Sequence, residues 1–240
     1  MKLLIDLGNT RLKACAHGES LQLLDGVVDT HTLTAWLDLN ASCITAVAIA
    51  SVTTQESYQH VSSMLKSLLP STQVYRLQYD AGLLTTCYAF SEQLGIDRWL
   101  ALLPFVKGGE AVVIDAGTAC TIDVLSNGKH QGGYILPGLR LQRDVLAQQT
   151  AAVNFPRAQL GELRLGLSTG ECVSHGSLRA LVALANDVSE EFGQSDEGAS
   201  LYITGGDAPY FEDHLEAEKR PLLVFEGMLI ALDHLIEGSK

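Results

Sequence analysis

Ile5-Asp6-Leu7-Gly8-Asn9 and Ile114-Asp115-Ala116-Gly117-Thr118 repeat one phrase in two parts of the chain: an aspartate closing an apolar run, then a glycine, then a small polar residue. Glycine lets backbone approach a ligand closely, and neighbouring N–H groups in such a turn can cradle phosphate oxygens. A carboxylate beside the turn suits a hydrated Mg²⁺ or another hard cation, which takes oxygen ligands. One Asp-x-Gly alone is ordinary turn chemistry. Its duplication in matching strand context favours two turns gripping a polyphosphate. A third stretch, Tyr202-Ile203-Thr204-Gly205-Gly206-Asp207-Ala208-Pro209, reads as a strand ending in a glycine pair, then an N-cap aspartate and an early-helix proline. Such a pair lets an adenine ring lie against backbone.

Between the two phrases lies Gly95-Ile96-Asp97-Arg98-Trp99. Phosphoryl transfer to an alcohol needs a positioned acceptor for the hydroxyl proton, which Asp97 could supply. Arg98 offers a planar fork for a carboxylate or for the transferring phosphoryl group. On the residues alone the dipeptide reads first as a surface ion pair at a helix start.

The elements that must hold these residues follow from the periodicity. Residues 2–7, 11–16 and 20–28 read as strands, 32–39 as a short helix, 43–51 as a buried strand, and 57–69 as an amphipathic helix ending before Pro70. A strand at 72–78 and a helix at 97–108 lead to Gly108-Gly109. The pattern then restarts: strands at 111–117, 119–126 and 130–136 with an Asn127-Gly128-Lys129 turn, helices at 138–150 and 170–192, and a strand at 200–206. A helix from Asp207, a strand over Pro221-Leu222-Leu223-Val224-Phe225 and a final amphipathic helix at 227–236 complete the chain. The predicted architecture is α/β, with lobes at 1–109 and 110–240 around a nucleotide cleft and a last helix free to pack back on the first lobe.

The 240 residues, 47% hydrophobic and 18% charged, have the balance of an ordinary globule. A formal net charge of −12 argues against nucleic-acid binding, which draws on basic residues replacing counterions. Cys15, Cys43, Cys87, Cys120 and Cys172 form no C-x-x-C pair. They suggest neither a zinc site nor a disulfide framework and fit a reducing, cytoplasmic setting. The apolar start, Leu3 to Ile5, is broken by Asp6, too soon for a signal peptide or membrane anchor.

The order of Asp6–Lys13, Asp115–Asp123 and Thr204–Ala208 resembles the two phosphate motifs and the adenosine motif of the sugar-kinase, actin-like ATPase superfamily, whose fold is a duplicated ribonuclease H-like unit. Gly95–Trp99 and Gly132–Leu139 narrow the resemblance to type III pantothenate kinase, and it covers essentially the whole chain. The resemblance implies ATP-dependent phosphorylation of pantothenate, the first step of coenzyme A biosynthesis. It implies that Asp6, Leu7, Gly8, Asn9, Thr10, Arg11, Leu12 and Lys13 line the ATP phosphates, with Asp6 near Mg²⁺ and Thr118 a further ATP contact. Asp115 is implied as the ligand of a monovalent cation, K⁺ or NH₄⁺. Asp97 is implied as catalytic base, and Tyr88, Gly95, Ile96, Asp97, Arg98 and Thr169 as the pantothenate pocket. The family often carries a proline three residues after the tyrosine, where this chain has Ser91. Members are homodimers, so a homodimer is expected, with no nucleic-acid or membrane partner.

Two rival readings use the same residues: a non-catalytic nucleotide-binding transcriptional accessory factor, and a kinase of the same fold acting on another small hydroxy acid or sugar. An intact Asp97-Arg98 pair weighs against the first. Substrate choice depends on pocket shape, which the sequence does not reveal.

Overall fold

The computed structural model describes residues 1–149, 162–192 and 200–238. Contacts divide the chain into two units, Met1–Pro104 with Leu222–Lys240, and Phe105–Pro221.

The first unit runs β1 (Lys2–Leu7), β2 (Leu12–His17), β3 (Leu21–Leu23), α1 (Thr30–Asn40), β4 (Ala46–Ser51), α2 (Gln55–Leu68), β5 (Gln73–Arg76), the two-residue β6 (Thr85–Thr86) and α3 (Ile96–Leu102). Its sheet has the order β3-β2-β1-β4-β5, antiparallel from β1 to β3 and parallel from β1 to β5. Strand alternation sorts β1 between two faces. Leu3, Ile5 and Leu7 join Leu33, Leu37, Val61 and Leu65 in one core. Leu4 is buried on the opposite face, and Asp6 follows it there.

The second unit runs β7 (Ala111–Ala116), β8 (Ala119–Ser126), β9 (Lys129–Pro137), α4 (Leu139–Gln149), α5 (Thr169–Phe192), β10 (Ser200–Thr204) and β11 (Glu218–Lys219). These strands lie in the order β11-β10-β7-β8-β9. The arrangement of three antiparallel strands followed by two parallel ones is therefore written twice, the signature of a duplicated ribonuclease H-like fold. Registers match as well: Asp6 sits opposite Lys13 and Ala50, and Asp115 opposite Thr121 and Thr204. Val112, Ile114 and Ala116 face the core built with Leu178, Leu181 and Val182 of α5, so Asp115 faces the other way, as Asp6 does in its sheet. On that second face His130 and Asp123 are fully buried, with Nε2 and Oδ1 2.9 Å apart.

The last helix, α6 (Leu223–Gly238), groups with the first unit and packs on α3, β1 and β4. Lys2 of β1 pairs with Asp233 of α6. A glycine permits the α3 contact: a Cβ on Gly227 would overlap the carbonyl oxygen of Leu100.

Several sequence expectations need correction. Of the strand expected over 221–225, residues 223–225 instead begin α6; Leu223, Phe225, Gly227, Met228, Ala231 and Leu232 are the buried residues of that helix, and a short apolar run does not by itself separate strand from helix. The strand expected over 20–28 is regular only at Leu21–Leu23, because the chain turns at Asp25-Gly26. Leu24 N–H still donates to Ala14 O at 2.9 Å, and Leu12 N–H to Val28 O at 3.1 Å. In place of a helix capped by Asp207 there is a single 3₁₀ turn, Ala208–Tyr210, to which the Asp207 side chain gives no cap bond. Residue 150, the expected end of α4, lies outside the described residues.

Candidate active site

In the first unit the β1–β2 connection carries the first Asp-x-Gly turn. Leu7 and Leu12 pair across its base and are buried in the core, so only their backbones are available to a ligand. Gly8 keeps the turn tight: a Cβ there would stand 3.2 Å from Arg11 O. Asn9, Thr10 and Arg11 are exposed at the tip. Asp6 and Lys13, register partners, point to one face with Nζ 4.0 Å from Oδ2.

Asp97 approaches that same face. It lies in the first turn of α3, and its charge acts on Asp6. Burial pushes the Asp6 carboxyl up to about 6; Lys13 pulls it down and the negative charge of Asp97 pushes it up further. A carboxylate raised by burial and by the negative charge of a second aspartate is a place where a cation is favoured.

Asp97 Oδ1 accepts from Arg98 N–H at 2.9 Å. Gly95 is the residue that makes room, since a Cβ there would lie 2.7 Å from Asp97 Oδ1. Arg98 is buried, and its Nη1 donates to Tyr88 Oη at 2.9 Å. Its guanidinium carbon stands 5.8 Å from the Tyr88 ring centre, so the tyrosine both bonds and flanks it. Ile96 is half-buried on the same turn of α3. Ser91 starts a 3₁₀ turn, Ser91–Gln93, whose end is Leu94.

In the second unit the corresponding turn, residues 117–119, is one residue shorter than residues 8–11, because Ala116 pairs directly with Cys120. Backbone packs on it from both sides. Gly138 N–H donates to Thr118 O at 2.9 Å, and Asp207 N–H to Ala116 O at 2.8 Å. A Cβ on Gly138 would overlap Gly117 O, and one on Gly205 would overlap Ala116 O and stand 2.5 Å from Asp115 Oδ1. Gly205 also has φ of +95°, a conformation open to glycine and strained for other residues. Asp115 thus lies beside the Gly205 backbone, and Thr118 is exposed at the tip of the turn. The Cys120 thiol records how acidic this end of the sheet is: burial, then Asp115 and Asp207, push it up to about 12.

Thr169 is the exposed first residue of α5. Ser168 Oγ caps the helix by accepting from Glu171 N–H at 3.3 Å, while Glu171 Oε2 accepts from Leu167 N–H at 2.7 Å. His175 Nδ1 lies 2.9 Å from Arg164 O, strapping the preceding loop to the helix.

The structure therefore brings Asp6 and Lys13 to one face, where the charge of Asp97 acts on Asp6, and Arg98 with Tyr88 to one contact in the first unit, and Asp115 with the turn bearing Thr118 in the second. Sequence reasoning missed the roles of Gly138, Gly227 and the Arg140–Asp207 pair, in which Arg140 Nε donates to Asp207 Oδ1 at 3.2 Å. Among the described residues no three His, Cys, Asp or Glu side chains form a metal cluster, and no helix is long and apolar enough to cross a membrane.

A family model described as type III pantothenate kinase matches residues 2–191. The type III pantothenate kinase of Acinetobacter baylyi is 34% identical over 239 residues, covering 95% of this chain and 96% of that protein. The same enzyme of Alcanivorax borkumensis is 34% identical over 239 residues, covering 95% and 97%. Among solved structures, a conserved putative Baf family transcriptional activator from Campylobacter jejuni shares the fold with a TM-score of 0.65 and 24% identity, covering 98% of this chain and 99% of that one.

Proposed function

The chain belongs to the type III pantothenate kinase family, and from that premise we propose how its residues carry the reaction. The protein is an ATP-dependent kinase that phosphorylates pantothenate, opening coenzyme A biosynthesis. In our reading Asp97 is the base, Arg98 orients the substrate carboxylate, and Tyr88, Gly95, Ile96 and Thr169 belong to the pantothenate pocket. Residues 6–13 and Thr118 contact ATP. The observation that carries this reading is Arg98 held against Tyr88 next to Asp97, whose Oδ1 is fixed by the Arg98 N–H; the charge of Asp97 acting on Asp6 supports it.

The hydroxyl proton of pantothenate passes to the Asp97 carboxylate as the hydroxyl oxygen bonds to the γ-phosphorus. The bond from that phosphorus to the bridging oxygen breaks, and ADP leaves with the electron pair. Asp97 suits this task because its Oδ1 is already held by Arg98 N–H, which fixes the direction of the remaining oxygen.

A divalent ion, Mg²⁺ in our reading, spreads charge from the β- and γ-phosphates when bound. Asp6 fits such an ion: it is a half-buried carboxylate with a second carboxylate nearby and Lys13 at 4.0 Å. Mg²⁺ is commonly held through one or two carboxylates together with substrate phosphates, so a full protein cage is not needed. Asp115, set against the backbone of Gly205 and Gly117, offers oxygen to K⁺ or NH₄⁺.

A homodimer is part of the proposal. Tyr134 and Ile135 of β9 and Leu141, Val145 and Leu146 of α4 are exposed apolar residues on two elements packed together, the kind of patch a second copy covers. We assign the reaction to the cytoplasm, where ATP is supplied and the five cysteines, none of them in a disulfide, stay reduced.

The test is ADP formation by purified protein with ATP, Mg²⁺ and pantothenate, in K⁺ or Na⁺. Pantothenate-dependent turnover that needs K⁺ supports the substrate and the cation role of Asp115. Turnover indifferent to K⁺ removes the latter. ATP binding without turnover favours a nucleotide-binding accessory factor, and faster turnover with another hydroxy acid or sugar favours a different acceptor.

A further inference from the structure

We propose that Arg140 is a nucleotide-positioning residue, which the Asp207 carboxylate holds beside the second phosphate turn so that its guanidinium contacts the phosphate oxygens of ATP. The inference rests on the assignment of Thr118 and its turn to ATP. Two independent tethers set the place of Arg140. Along the chain it is two residues from Gly138, whose N–H is bonded to Thr118 O at 2.9 Å and whose backbone lies against Gly117. Across the fold its Nε donates at 3.2 Å to Oδ1 of Asp207, whose own N–H holds Ala116 O at 2.8 Å. One tether ends on the turn itself and the other on Ala116, the residue just before it.

The chemistry of the pair is directional. Asp207 is buried, while the Arg140 side chain is 65% exposed. The carboxylate engages Nε, and among the described residues neither Nη has a partner. Arginine carries five N–H donors in a fixed plane, so the amino groups are left as an oriented fork suited to phosphate oxygens. The alternative, that this is only a half-exposed ion pair, gives little reason for its position, since such pairs add little to stability.

Charge gives the pair a function. The chain carries a net charge of −12, and Asp115 and Asp207 stand close enough to the turn to act on Cys120. A polyphosphate approaching this end of the sheet meets two carboxylates and no basic residue within the turn itself. Arg140 is the cation that the hydrogen bonds attach to it. Its bond to Asp207 also offsets one of those carboxylates.

Arg140→Ala, Arg140→Lys, Asp207→Asn and Thr118→Ala are compared with the wild type in steady-state kinetics and in equilibrium binding of ATP and adenosine, with melting temperatures as the folding control. Arg140→Ala is expected to raise the KM for ATP roughly tenfold, the scale of one lost charge-assisted hydrogen bond. KM for pantothenate stays unchanged, and the preference for ATP over adenosine narrows. Arg140→Lys, which keeps charge but not the fork, recovers part of the loss. Asp207→Asn weakens ATP in the same way and adds little on top of Arg140→Ala. An ATP KM within about twofold of wild type in Arg140→Ala, or equal weakening of ATP and adenosine, overturns the role of Arg140. An unchanged ATP KM in Thr118→Ala instead overturns the assignment of the turn on which it rests.

Discussion

Gly227 of α6 and Leu100 of α3 meet backbone to backbone: a methyl group on Gly227 would overlap the Leu100 carbonyl oxygen. Because Leu100 lies less than one turn beyond Asp97 in a seven-residue helix, this contact fixes how deeply α3 sits on the sheet. Gly227→Ala must push the helices apart, and overpacking of this kind costs about 1–3 kcal/mol. We expect a lower melting temperature and, in the fraction still folded, a kcat loss larger than any change in KM for ATP. A fully active Gly227→Ala enzyme with unchanged melting would show that the α3–α6 spacing does not set the position of Asp97.

Asp97→Asn keeps the size of the side chain and an oxygen for the Arg98 N–H bond, and removes the basic carboxylate. Turnover should fall by roughly 10²–10⁴-fold, the usual worth of a positioned general base. Melting temperature should hold or rise, since a charge repelling Asp6 is gone. Activity close to wild type in this variant would remove the base assignment.

Much of the site was legible because its residues are neighbours in sequence or in register. Asp97 and Arg98 are adjacent, and a short turn between two strands makes Asp6 and Lys13 partners. The strands β7 and β8 and the helix α5 were legible because alternation and helical spacing persist along each of them. Two of the misreadings have a shared cause, a tertiary contact overriding a local signal. Gly227 reads as the start of a helix that follows a strand; it lies inside one helix, where the close approach of Leu100 requires it. Asp207 looked like an N-cap, yet its carboxylate serves Arg140, 67 residues away in sequence. No local pattern announces a bond of that separation.

His130 and Asp123 form a pair buried from solvent with nitrogen and oxygen 2.9 Å apart. Their strands are joined by the Asn127-Gly128 turn, and the register shifts between Val124 and Leu125, just beside the pair. His130→Leu removes the ring partner of a buried carboxylate, a change that costs on the order of 3–5 kcal/mol when the remaining charge is left uncompensated. We expect a large drop in unfolding free energy. The double variant His130→Leu/Asp123→Leu should recover a good part of it, since neither polar group then remains. A single variant as stable as wild type would mean that the pair does not hold the β8–β9 register.

Asp6 gives the sharpest dependence on pH. Its carboxyl is raised from 3.8 to about 6, first by burial, with Lys13 opposing and Asp97 adding to the rise. A carboxyl with a folded value above its unfolded value binds protons more readily in the folded state. Its ionisation therefore opposes folding: the penalty is absent below about 4, grows between about 4 and 6, and is complete above that. The size of the shift corresponds to roughly 3 kcal/mol at neutral pH. Asp6→Asn should then be more stable than wild type at pH 7, with the advantage shrinking steadily as pH falls to 4. The same variant should lose ATP-dependent turnover, because the carboxylate proposed to serve the divalent ion is gone. In the wild type, MgATP binding should draw the carboxyl back towards its ordinary range and release a proton near pH 6. Calorimetry in buffers of different ionisation enthalpy reads that release directly. An Asp6→Asn protein without a pH-dependent stability gain would show that Asp6 is not held against its own charge. Binding of MgATP without proton release would show that the metal does not sit where this carboxylate can feel it.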